Sequence, residues 1–85
     1  MAVEMLYFAW VRERVGSGGE TVEPPRTVTD VAALLDWLGG RSPGHAAAFA
    51  DRARLRAAID QCYVPLDASI AGAREIAIFP PVTGG

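Results

Sequence analysis

Lysine is missing from this chain altogether, because all eight basic residues are arginine. No side-chain amine is therefore present to be acylated or to form a Schiff base. Cysteine occurs once, as Cys62, which excludes an internal disulfide and fits a reducing compartment. Histidine also occurs once, as His45, seventeen positions from Cys62. One Cys and one His at that separation give no metal-ligand spacing, so no metal is expected. Ser17, Ser42 and Ser69 show no spacing that suggests a Ser-His-Asp arrangement. His45, in "SPGHAAAF", reads as a solvated histidine of a loop or helix start. Long apolar runs are scarce too. "MAVEMLYFAWVRERVG" is too short in its apolar part to span a membrane, and Glu4 interrupts it. No positive region precedes it and no small-residue cleavage site follows, so a mature cytoplasmic protein is expected. The net charge of −2 and the lack of a basic stripe argue against nucleic acid. "GSGGE" lacks the Lys and Ser/Thr of a phosphate loop and reads as a turn.

What is present is enough for one small domain. Eighty-five residues hold a single core, and 51% apolar content makes the chain globular. "VEMLYFAWV" reads as a strand. Val3, Met5, Tyr7 and Ala9 face one way, and Leu6, Phe8 and Trp10 face the other with Glu4. A glycine-rich turn follows, then a short strand "ETVE" that pairs back and is closed by Pro24 and Pro25. "TVTDVAALLDWLGG" reads as a helix. Thr27 and Asp30 give a capping-box-like start, and Val31, Leu34, Leu35 and Leu38 form one stripe up to Gly39-Gly40. "HAAAFADRA" adds one or two helical turns.

"RLRAAID" reads as a strand with Leu55, Ala57 and Ile59 inward, and "DRARLR" as a solvated face alternating with inward Ala53 and Leu55. "QCYV" gives a short strand in which Cys62 reads as a small buried apolar residue. "REIAIF" is the last strand, with Ile76 and Ile78 inward and Glu75, Ala77 and Phe79 outward. The expected architecture is α+β: a small mixed sheet covered on one face by one main helix. The other face stays open and carries Phe8 and Phe79. An exposed aromatic patch of that kind marks a binding surface.

No catalytic constellation emerges, and the distinctive chemistry lies in "FPPVTGG", residues 79–85. Glycines without Cβ atoms can thread a channel too narrow for side chains. Prolines upstream limit the freedom of such a tail. The α-carboxylate of Gly85 is a reactive handle once an enzyme adenylates it.

Those stretches resemble the small, sulfur-carrying subunit of molybdopterin synthase almost from end to end. "YFAWVRERVG" resembles that family's opening strand and turn, "TVTDVAALLDWL" its helix, "LRAAIDQCYV" a central strand, and "EIAIFPPVTGG" its terminal signature. The resemblance implies a ubiquitin-like β-grasp domain over residues 1–80 and a flexible, extended Gly-Gly tail over 81–85. It implies that an adenylating, ubiquitin-activating-like partner uses ATP on the Gly85 carboxylate, and that a sulfur donor makes it a thiocarboxylate. No cofactor is bound by the chain itself. The tail, Pro80, Pro81, Val82, Thr83 and Gly84, then inserts into a large subunit in a heterotetramer, and Gly85 donates sulfur to a pyranopterin precursor. Phe8, Tyr63 and Phe79 match the family's hydrophobic partner surface. The chain departs from the family at Asp60, where Asn is usual, and in the turn "GAREI", where Ala73 replaces glycine and Arg74 reverses a charge. Other sulfur carriers (for thiamin or cysteine), a ubiquitin-like protein modifier, and a plain interaction module remain open alternatives.

Overall fold

The computed structural model describes residues 2–81. The expected tail residues Val82, Thr83, Gly84 and Gly85 lie outside the described residues. Five strands form one mixed sheet in the order β2-β1-β5-β3-β4. They are β1 (Val3–Tyr7), β2 (Gly19–Val22), β3 (Arg56–Ile59), β4 (Cys62–Val64) and β5 (Glu75–Phe79). β1 runs parallel to β5, with Met5 opposite Ile76, and antiparallel to β2, with Val3 opposite Val22. Alternation sorts the central strands as read from sequence: Val3, Met5, Tyr7, Ile76 and Ile78 are buried beneath the helices.

The main helix, α2 (Val31–Gly39), buries Val31, Leu34, Leu35 and Leu38 completely. Each such side chain contributes about 2 kcal/mol of transfer free energy. Its start differs from expectation: Asp30, not Thr27, is the cap, and its carboxylate accepts from the amide of Ala33 at 2.8 Å. The amides of Val31 and Ala32 donate instead to the carbonyls of Ala68 and Leu66, so a loop docked on the helix supplies their acceptors.

Residues 9–15 are the largest departure. They form a helix, α1 (Ala9–Val15), where strand and turn were expected. Val11 and Val15 stand four apart on the packed side, and Gly16, at φ 90°, ends the helix with its amide on the Arg12 carbonyl. Ala9 takes φ 54° at the strand-to-helix junction. Trp10 therefore leaves the outer sheet face and sits half-buried on α1. β2 still pairs with β1, but across a helix rather than a tight turn.

A third helix, α3 (Pro43–Ala48), is capped by Ser42. His45 sits in its first turn, but it is buried rather than solvated. Its Nδ1 lies 2.7 Å from the Ser42 hydroxyl, and its Nε2 lies 2.6 Å from the Glu20 carboxylate on β2. The same carboxylate oxygen accepts from the buried Tyr7 hydroxyl at 2.8 Å. One polar cluster thus ties β1, β2 and α3 together. α3 comes close to α1 through Gly44, where a Cβ would stand 2.5 Å from the Arg14 carbonyl oxygen. Gly44→Ala should therefore cost about 2 kcal/mol, read as a fall in Tm of about 10 °C. Gly39→Ala, whose added Cβ meets ordinary contact at 3.9 Å, should leave Tm unchanged or higher.

Two smaller expectations also fail. Arg52–Arg54 form a single 3₁₀ turn before β3, which leaves Ala53 exposed while Leu55 is buried as expected. Cys62 is exposed, at the start of β4, the three-residue strand at the edge of the sheet. The order of elements, with one face covered and one open, is the ubiquitin-like β-grasp. No helix among the described residues is long and apolar enough to cross a membrane.

Candidate partner surface and tail base

β1 and β5 are neighbours at the centre of the sheet, so alternation brings Leu6 and Phe8 beside Ala77 and Phe79 on the open face. Phe8 lies one residue beyond β1. It is extended, caps α1, and is 49% exposed. Tyr63 reaches in from β4 and is 80% exposed. Its ring centre lies 5.5 Å from that of Phe79, at 42°. These side chains, with Ala58 and Pro80, line a shallow groove of about 460 Å³. A second hollow of about 300 Å³, floored by Tyr63, Val64 and Phe79, is bounded by Pro81. All three aromatics expected on the partner surface thus converge beside the two prolines that lead to the tail.

Leu6, Ala58, Gln61 and Glu75, the last read as outward from sequence, complete the groove. Leu6 was already assigned outward by alternation, and Ala58 falls outward once Ala57 faces the core. Gln61 had no sequence signal. It sits with Asp60 in a two-residue turn between β3 and β4, both at positive φ (48° and 71°). Asp60 does not disrupt this corner. One of its carboxylate oxygens accepts from the amides of Arg74 at 3.1 Å and Glu75 at 2.9 Å, fastening the turn to β5. In the "GAREI" turn Gly72 holds the positive φ of 75°, and Ala73 is buried in the core.

Titration chemistry lies away from this face. Burial pushes the Tyr7 hydroxyl far above its ordinary value, and its bond to Glu20 adds to the effect. Glu20 is raised by burial, but bonds from His45 and Tyr7, with the charges of His45 and Arg41, outweigh that and hold its carboxyl below the usual range. Among the described residues no group of three or more His, Cys, Asp or Glu is placed to hold a metal ion. Among the described residues, those that line the groove include no serine, threonine, cysteine or histidine. The groove offers apolar area and shape, which suits a protein surface rather than a substrate.

A small sheet with one covered face, one open aromatic face and a stiffened base for a glycine tail defines a ubiquitin-like β-grasp protein. The model of the ThiS family matches residues 5–85, and the chain belongs to that family. The molybdopterin synthase sulfur carrier subunit of Escherichia coli K12 is 37% identical over 83 residues, covering 98% of this chain and 99% of that protein. Among solved structures, SAMP1 of Haloferax volcanii, a small archaeal modifier protein, superposes with TM-score 0.74 at 28% identity over all of both chains. A complex of subunits 1 and 2 of molybdopterin-converting factor from Helicobacter pylori 26695 contains a chain with TM-score 0.63 and 20% identity, again over all of both chains.

Proposed function

We propose that this chain is the sulfur carrier of molybdenum cofactor biosynthesis, acting as the small subunit of a molybdopterin synthase. The observation that carries this reading is the convergence of Phe8, Tyr63 and Phe79 on one open face beside Pro80 and Pro81. The full-length likeness to the Escherichia coli sulfur carrier subunit supports it. In this reading a large subunit covers the aromatic face, in a heterotetramer, and receives residues 81–85 in a channel. An adenylating partner spends ATP to activate the Gly85 carboxylate, with pyrophosphate leaving. Sulfide equivalent from a donor then displaces AMP to give a thiocarboxylate. That sulfur is a good nucleophile at neutral pH and passes to the pyranopterin precursor, while water restores the carboxylate.

The likeness to SAMP1 favours a second reading, a modifier joined through Gly85 to lysines of other proteins. Intact-mass measurement on protein from its native host separates the two. A species heavier by the difference between sulfur and oxygen, mapped to the last peptide, is the expected result. Amide adducts to other proteins with no such species would favour the modifier. Removal of Gly84 and Gly85 should abolish sulfur transfer and leave Tm within about 2 °C, because residues at a chain end carry little of the fold.

A further inference from the structure

The end of the sheet that leads to the tail carries charge as well as apolar surface. Five of the eight arginines fall in residues 12–14 and 52–56. Three of them are engaged within the chain. Arg52 pairs with Asp36 at 2.5 Å and donates to the Phe49 carbonyl. Arg56 donates to the carbonyls of Ala53 and Leu55. Arg12 lies against Gly18.

Arg14 and Arg54 are different. Both are exposed, and their guanidinium carbons lie 4.7 Å and 5.0 Å from the centre of the Trp10 ring. Neither has an ion-pair partner among the described residues, although Glu13 and Asp51 are close in sequence. Stacking on an indole uses the face of a guanidinium and leaves its in-plane N–H donors free. It also orders two long side chains in advance, which lowers the entropy cost of binding to them. Two cations gathered on one ring repel each other, and a bound carboxylate relieves that repulsion.

Their position is the second observation. Trp10 is two residues beyond Phe8, on the first turn of α1. Arg54 is two residues before Arg56, which pairs with Phe79 on β5. Arg56 lines the hollow bounded by Pro81, and Phe8 of the groove caps the helix that carries Trp10, so the cluster lies beside the groove rather than in it, at the end of the sheet from which the tail leaves. We propose that Trp10, Arg14 and Arg54 form a clamp for carboxylates, which docks an acidic segment of the large subunit alongside the aromatic face. This rests on the reading above that a large subunit covers that face. A net charge of −2 makes a protein carboxylate a better fit than an RNA phosphate chain, which needs a broad basic surface.

The test is titration calorimetry of the full chain against the large subunit from the same host, at about 50 mM and about 500 mM salt. For the wild type, affinity should fall with salt. Arg14→Glu with Arg54→Glu should weaken binding at low salt about tenfold or more and flatten the salt dependence. Wild-type affinity and salt slope in this variant would overturn the clamp while leaving the carrier reading standing. A wild type that does not bind the large subunit at either salt would overturn both. Circular dichroism checks the fold. Should the charge reversal unfold the chain, Arg14→Gln with Arg54→Gln decides by the same criterion. A single-stranded RNA 20-mer is the second probe. Loss of RNA binding in the variant, with unchanged affinity for the large subunit, would also overturn the proposal.

Discussion

Phe8→Asp combined with Tyr63→Asp is expected to weaken binding of the large subunit by about 1,000-fold and to leave the fold intact. Buried aromatic anchors at an interface are commonly worth about 2 kcal/mol or more each, and burying a new carboxylate against an apolar partner adds to the loss. The folded chain should not register the change. The two residues are the exposed large hydrophobics of the described structure, and neither belongs to the core. Phe8 also stands at the N-cap of α1 with no side-chain cap bond, and Asp is a better residue there. Calorimetry reads the affinity and thermal melting reads the fold. Full affinity in the double variant would show that the aromatic face is not the contact surface. Phe79→Asp is a poorer probe, because that side chain is half-buried and its loss would mix folding with binding.

The second large effect concerns stability. Glu20→Ala should cost about 3 kcal/mol near neutral pH, because the buried Tyr7 hydroxyl and the His45 ring then lose a shared charged acceptor. In a domain of this size that is a fall in Tm of about 15 °C. Glu20→Gln keeps a neutral acceptor and should cost about 1 kcal/mol. The two variants also differ from the wild type in acid. Glu20 has a folded pKa below its unfolded value, with burial opposing and the bonds from His45 and Tyr7 prevailing. Its contribution is therefore complete above the ordinary carboxylate value, about 4.3, and is lost as pH falls through the lower folded value. The wild type should lose stability across that acid window, and Glu20→Gln should show a flatter limb there. An acid limb identical in both would remove Glu20 from the explanation.

The central sheet and α2 were legible because their signals are periodic. Met5 and Tyr7 alternate with Leu6 and Phe8, and Leu34, Leu35 and Leu38 repeat at helical spacing. The open aromatic face followed from the same alternation, and terminal "FPPVTGG" carried the likeness to sulfur carriers. α1 was not legible. Ala9–Val15 is seven residues long, its Trp and two Val favour strands, and its helical signal reduces to Val11, Val15 and Gly16. What makes it a helix is tertiary: Val11 is fully buried, and Gly44 lets α3 come up against Arg14. His45 was misjudged for a similar reason. Its partner Glu20 is 25 positions away on another element, and no local pattern announces a contact of that range. Cys62 shows the converse, since a strand-like sequence does not reveal that its strand is an edge. The Trp10 cluster was missed because cation–π pairs leave no periodic trace.

The parallel pairing of β1 with β5 has a consequence for the birth of the molecule. Met5 meets Ile76, so the two central strands pair across 71 positions of sequence. During synthesis β2, α2, β3 and β4 can collapse early, but Ile76 and Ile78 must arrive before the middle of the sheet closes. Such long-range closure slows folding, and Met5 and Tyr7 spend the interval without their main neighbours. A ribosome stalled before residue 75 would hold an unfinished chain with its aromatic and methionine side chains open to chaperones. The nascent protein thus acquires its native sheet only when β5 has been made.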